Sequence, residues 1–221
     1  MGSPMGYGRE VDRHPGSEMA APEGLMGLSP RERILNVSAA LFGRSGVQAI
    51  GIDAIIAKAN VAKATLYKQF RSKDDLVWAW LRGQDARWID WVTGEVEQRT
   101  QVPLERLTVL FDVLEEWFQR DDFYGCAFQN TAAEVRTFDE PIRTEIRSYV
   151  QEVQDWLQRE LEAAEIPRAE ELAEQLRLLV AGSIWIAFIT GSSRPAATAR
   201  AAAVALLASK QGADSWATTA G

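Results

Sequence analysis

Ala62-Lys63-Ala64-Thr65-Leu66-Tyr67-Lys68-Gln69-Phe70 is the stretch on which the fold turns. Leu66 and Phe70 stand four apart, so on a helix they share one inward side, while Lys63, Thr65, Lys68 and Gln69 are available on the outer side. Immediately upstream, Ile52, Ile55, Ile56 and Ala59 fall at i, i+3, i+4 and i+7, the apolar stripe of a short helix. Between the two lies Asn60, the residue after glycine that best tolerates the left-handed backbone a tight helix end requires. Two short helices joined by a tight turn are therefore expected.

The flanks carry equally local signals. Ser29-Pro30-Arg31-Glu32 reads as a capping box with proline at the first helical position, so a helix starts there. Ile34, Leu35, Val37, Ala40, Leu41 and Phe42 give it an apolar face, and Gly43 with Gly46 ends it. Downstream of Phe70, Ser72-Lys73-Asp74-Asp75 places serine at a cap and acids in the first turn of a long helix running through Leu76, Trp80, Leu81 and Trp88 as far as Val92. The remaining periodicity predicts helices near 103–120, 125–135, 140–164, 168–190 and 195–210, with Pro103, Pro141, Pro167 and Pro195 at or near their starts. No period-2 run is convincing, so the fold class is all-α. Residues 1–28 and 211–221 read as a disordered leader and tail. Between them a helix-turn-helix domain (29–75) precedes a larger helical domain (76–210).

Charge is distributed unevenly. The chain carries a net −7, yet residues 29–82 hold nine Lys and Arg against four acids, a net +5. A basic module on an acidic body suits a protein that touches phosphate at one end. Cysteine and histidine occur once each, as Cys126 and His14, which excludes an intrachain disulfide and removes imidazole-based catalysis and His/Cys zinc sites. Cys126 has no basic sequence neighbour to lower its pKa, so a buried inert thiol is expected. No basic-then-apolar leader opens the sequence and no stretch is expected to reach a bilayer-spanning apolar run, so a soluble, cytoplasmic chain is expected, and neither cofactor nor metal.

Three helices with a tight turn before the third match the geometry that lays a recognition helix in a DNA major groove. The run Phe42-Gly43-x-x-Gly46, Ile52-x-x-Ile55-Ile56, Ala59-Asn60-Val61, Ala62 to Tyr67, Phe70 and Arg71-Ser72-Lys73-Asp74-Asp75-Leu76 closely resembles the DNA-binding domain of TetR-type regulators. The resemblance is specific over residues 29–82 and architectural beyond. It implies that Gly51 and Ile52 meet the phosphate backbone, that Lys63, Ala64, Thr65, Tyr67, Lys68 and Gln69 lie at the groove, and that Lys73 meets a flanking phosphate. Chemistry agrees: Tyr67 can donate its hydroxyl to phosphate, lysines release counterions, Ala64 permits close approach, and the Gln69 amide suits an adenine edge. Ile50 and Gly51 depart from the family's usual Thr or Ser cap, and Ala62 from a frequent Ser, leaving only backbone N–H groups at those helix starts.

The resemblance further implies a homodimer formed through residues about 168–210, a near-palindromic operator and release by a small, partly apolar effector. The aromatic content of the larger domain supports a pocket. Trp88, Phe111, Trp117, Phe128, Asn130, Glu134 and Trp185 are the effector-contact candidates. Two other readings stand beside this one: an architectural DNA binder with a solid core, and a helical enzyme on an apolar substrate using Glu134 as acid or base. The enzyme reading lacks a convergent catalytic partner, so a non-enzymatic regulator is expected.

Overall fold

Ser29 opens the first helix as its sequence demands: its Oγ accepts from the Glu32 N–H at 3.3 Å while the Glu32 carboxylate accepts from the Ser29 N–H at 2.8 Å. The computed structural model describes residues 27–134 and 140–211, and among these the chain forms nine α-helices and no strand. They are α1 (Pro30–Ser45), α2 (Ile52–Ala59), α3 (Lys63–Gln69), α4 (Lys73–Arg99), α5 (Pro103–Phe118), α6 (Ala127–Glu134), α7 (Glu140–Ala163), α8 (Ala169–Thr190) and α9 (Arg194–Gln211). The expected leader and tail lie almost wholly outside the described residues.

The first three helices enclose a small core of their own, in which Ile34, Ile55, Ala59 and Leu66 are fully buried and Phe70 nearly so. Phe42 carries this core to α4 by an edge contact with Trp80, ring centroids 5.3 Å apart. Gly46, not Gly43, caps α1, and Gly43 sits inside the helix. α4 continues past Val92 to Arg99 because Val96 extends the buried stripe by one more turn. Its end is tied to α5 where Arg99 donates to both Glu116 oxygens at 2.8 Å.

α5 is the central rod of the larger domain, with Leu107, Leu110, Phe111, Leu114 and Trp117 buried. It packs against α4, α7, α8 and α9. Arg106 of α5 reaches Glu160 of α7 at 3.3 Å in a largely buried ion pair. Between α4 and α7, Trp78 Nε1 donates to Glu145 at 3.2 Å. Burial lifts the Glu145 carboxyl above its ordinary range, with Arg82 and the Trp78 bond opposing that rise. The small residues of the last helix serve close packing: Ala196, Ala199, Ala203 and Leu207 form its buried stripe.

One expectation about apolar length is corrected. α8 has an 18-residue stretch of mean hydropathy 1.5, long and apolar enough by composition to cross a bilayer. The reason is visible in its two faces. Leu172, Ala173, Leu176, Val180, Ile184 and Ala187 are buried in the core, while Leu178, Trp185, Ile186, Phe188 and Ile189 on the outer side are also apolar, and exposed.

Candidate nucleic-acid interface

The geometry of the helix-turn-helix is set by three backbone positions. α2 ends at Asn60, whose φ of 49° and ψ of 55° place it in the left-handed region, and Val61 and Ala62 complete a three-residue turn before α3. The Arg33 guanidinium donates to the Asn60 carbonyl at 3.3 Å, tying that turn back to α1. Leu66 and Phe70 anchor α3 from below, and the Arg31 guanidinium lies over the Phe70 ring 5.0 Å from its centroid. At the far end Ser72 caps α4 by accepting from the Asp75 N–H at 3.0 Å, and the Asp75 carboxylate accepts from the Arg71 N–H at 2.8 Å.

So anchored, α3 turns Lys63, Ala64, Tyr67 and Lys68 to solvent, with Tyr67 46% exposed. Thr65 and Gln69, expected on the outer side, are half-buried, because each precedes an anchor residue and lies along the edge of the Leu66–Phe70 stripe. Gly51 is exposed at the start of α2, and no side chain caps that helix or α3, so their first N–H groups are available to an anion. Ile52 and Lys73 are half-buried at the first turns of α2 and α4. Lys63 Nζ lies 3.2 Å from Asp53 Oδ1 in a pair exposed on both sides. Such a pair is worth at most ~1 kcal/mol and yields readily to a phosphate.

The seven effector candidates are brought together only in part: Trp117, Asn130 and Glu134 line one small pocket where α1 and α4 meet α6, and the other four lie elsewhere. Trp117 is the hub of an aromatic core, 4.9 Å from Phe123 and 5.8 Å from both Trp88 and Phe118 by ring centroids. Phe111 is sealed in the same interior. Asn130 serves the backbone, donating to the Tyr124 carbonyl at 2.8 Å. Trp185 stands 38% exposed on the outer face of α8, away from any enclosed space, because the helix turns its other side to the core. Of the seven, only Phe128 lines a cavity of about 190 Å³ between α6, α7 and α8, where it stacks on Tyr149 at 4.0 Å. Gln129, Tyr149 and Arg177, outside the expected set, also line it. Arg177 had a readable signal, a cation set in the apolar run from Leu176 to Val180. Cys126 is buried at that cavity with its Sγ 3.6 Å from the Tyr149 hydroxyl.

Glu134, at the edge of the pocket it shares with Trp117 and Asn130, also ties the two parts of the chain together. Its carboxylate accepts from the Gln48 N–H at 2.8 Å, joining α6 to the loop between α1 and α2. Gly46 makes this approach possible: a Cβ there would lie 2.5 Å from Glu134 Oε1, and its φ of 81° is strained for any L side chain. Gly46→Ala is expected to cost about 2–4 kcal/mol by strain and the displaced bond. Chemical denaturation checks this. In the Glu134→Ala background the same change is expected to cost less, and strictly additive costs would mean the two residues do not touch in solution.

A hairpin with an exposed recognition helix, docked on a larger helical body, defines the class of helix-turn-helix DNA-binding regulators. Comparison with known proteins narrows the class. Residues 34–79 match the tetR family of bacterial regulatory proteins, and residues 103–203 match the tetracyclin repressor-like C-terminal domain. The chain belongs to the TetR family, whose members are transcription regulators and not enzymes. Among curated relatives, the HTH-type transcriptional repressor KstR2 of Mycolicibacterium smegmatis is 33% identical over 86 residues, 38% of this chain and 40% of that protein. The match thus spans under half of the curated relative's length. A TetR-family regulator from Streptomyces coelicolor superposes with a TM-score of 0.74 at 24% identity, covering 82% of this chain and 95% of its own. A TetR-type regulator from Streptomyces avermitilis gives 0.69 at 28% identity, covering 80% and 98%.

Proposed function

We propose that the chain is a homodimeric transcriptional repressor that grips a near-palindromic operator through α3 and releases it when a small effector enters the larger domain. The observation that carries this reading is the outer face of α3, where Lys63, Ala64, Tyr67 and Lys68 are exposed while Leu66 and Phe70 hold the helix from behind. Lys63, Tyr67, Lys68 and Lys73, with the free N–H groups of Gly51 and Ile52, serve phosphates, and Thr65 and Gln69 reach base edges from the rim of the helix. The relative KstR2, a repressor by name, supports repression as the output.

Dimerisation is supported by the apolar residues that α8 and α9 leave uncovered: Leu178, Trp185, Ile186, Phe188, Ile189 and Val204 are all more than a third exposed. So many exposed apolar side chains on two neighbouring helices are unusual on a monomer and suit an isologous contact with a second copy. A second copy is favoured over lipid because α8 is already a core helix, packed against α5, α7 and α9. A protein working on operator DNA in a bacterium acts in the cytoplasm. In this division of labour residues 29–75 form the DNA-binding head and 76–210 the sensing and pairing body, with the Glu134–Gln48 contact linking the two.

Selection of random DNA by the pure protein, followed by sequencing, tests the reading. Two inverted half-sites with centres about 34 Å or a small multiple apart are expected. A single unrepeated site, or no enrichment, would contradict it.

A further inference from the structure

The cavity between α6, α7 and α8 is apolar apart from a few groups, and two of those groups are incompletely satisfied. Arg177 is half-buried on α8. Its Nε donates to Gln154 Oε1 at 3.0 Å, and Gln154 is itself held by donating to the Glu170 carbonyl at 3.3 Å. The guanidinium has five donors, and no carboxylate pairs with it among the described residues. The second group is Gln129 on α6, whose Nε2 donates to the Ala181 carbonyl at 3.1 Å. That bond fixes the amide orientation, since turning it over would set carbonyl against carbonyl. Gln129 Oε1 is left buried with no donor.

We propose that this cavity binds a small monocyclic aromatic carboxylate bearing a hydrogen-bond donor on the far side of the ring. The proposal rests on the reading of the larger domain as the effector-sensing part and adds the chemical class of the effector. The cation selects an anion, because a partly desolvated guanidinium gains most from a group that accepts two parallel N–H bonds. The orphan Gln129 carbonyl is shut off from the cavity as the chain stands, and with a small shift of its side chain it selects a donor, because an unmet buried acceptor carries a desolvation penalty that a ligand hydroxyl would relieve. Spacing agrees as well. Arg177 and Ala181, the residue that holds Gln129, are four apart on α8, so the two polar groups start one turn apart on the same face, about 6 Å along the axis.

Size limits what fits between them. A closed apolar cavity of roughly 150 Å³ accepts one benzene ring, and this one holds about 190 Å³. One ring with two small substituents fills its enclosed part, and a larger group would have to project past Val150 on the open side. The walls suit a ring: Phe128, Tyr149, Val153, Val180 and Ile184 supply the apolar contact.

Calorimetry on the full chain without DNA tests this with three probes of one shape: 4-hydroxybenzoate, benzoate and the neutral 4-hydroxybenzamide. The acid is expected to bind once per chain, benzoate about tenfold more weakly and the amide on the order of a hundredfold more weakly. Arg177→Met should abolish the preference for acid over amide, and Gln129→Leu the preference for the hydroxylated acid over benzoate. Equal affinity of the wild-type chain for acid and amide, or no binding of either acid, overturns the proposal, and the wild-type series does so even if a variant fails to fold. Because no DNA is present, this failure leaves operator binding intact. A chain that binds the acid yet keeps its grip on operator would instead refute the effector reading.

Discussion

Replacing Lys63 and Tyr67 together by alanine is expected to weaken operator binding by about 10²- to 10³-fold while leaving the unfolding temperature unchanged. The estimate follows from counting contacts. A dimer loses two groups per subunit, and each hydrogen bond or ion contact to phosphate contributes about 1 kcal/mol net. Stability is spared because Tyr67 is 46% exposed and the Lys63–Asp53 pair is open to solvent on both sides. The two residues also separate in their salt response. Lys63→Ala alone should shrink the slope of log affinity against log salt by about two for the dimer, one released counterion per subunit, whereas Tyr67→Phe should leave that slope unchanged. Binding measured across a salt series checks both, and unchanged affinity in the double variant would remove α3 from the interface.

Trp117→Ala is the substitution expected to damage the fold most. The indole is 4% exposed and contacts Trp88, Trp91, Phe118 and Phe123 around the middle of the larger domain. Truncating a buried tryptophan costs about 3–5 kcal/mol, since transfer energy is lost and the surrounding rings cannot fully collapse. For a chain of this length that corresponds to a fall of roughly 6–20 °C in the thermal midpoint. Thermal unfolding followed by circular dichroism distinguishes two roles for Trp117. A wall of an open effector pocket would tolerate the change with little loss of stability, and a core residue would not.

That contrast marks how far the sequence could be read. The helix-turn-helix is legible because each of its boundaries rests on a residue acting within its own turn: Ser29 and Glu32 close a box, Asn60 takes the left-handed conformation, and Ser72 caps α4. None of these needs knowledge of what packs against them. The expected effector set is split between core, pockets and surface for the opposite reason. Helical spacing tells which side of a helix is apolar, but not whether that side meets a solid core, a cavity or another subunit. Phe111 meets the first, Phe128 the second, and Trp185 lies among the exposed residues of α8, where a second copy is proposed to sit. Its polar character on an apolar helix points Glu134 toward a ligand. Its partner, the Gln48 N–H, lies 86 residues away in sequence and could be found only once α6 was docked against the head.

α8 carries the same lesson in another form. Its apolar length is that of a membrane helix, yet it arises because two different faces are each apolar, one packed on α5, α7 and α9 and one open. Arg177 interrupts the apolar run of this helix at the cavity, and there a local signal is available. A cation flanked by Leu176, Leu178, Leu179 and Val180 is costly to place unless something in the fold or a ligand answers it.

The most direct measurement for the account as a whole is affinity cleavage from the outer side of α3. Ala64 is exposed and the one native thiol, Cys126, is buried, so Ala64→Cys can be labelled selectively with an iron chelate that cuts nearby DNA. Cuts confined to the major groove of each half-site are predicted, with none from the same label at exposed Gln175 on the body. Absence of cutting at position 64 in a chain that still binds operator would contradict the assignment of α3 to the groove.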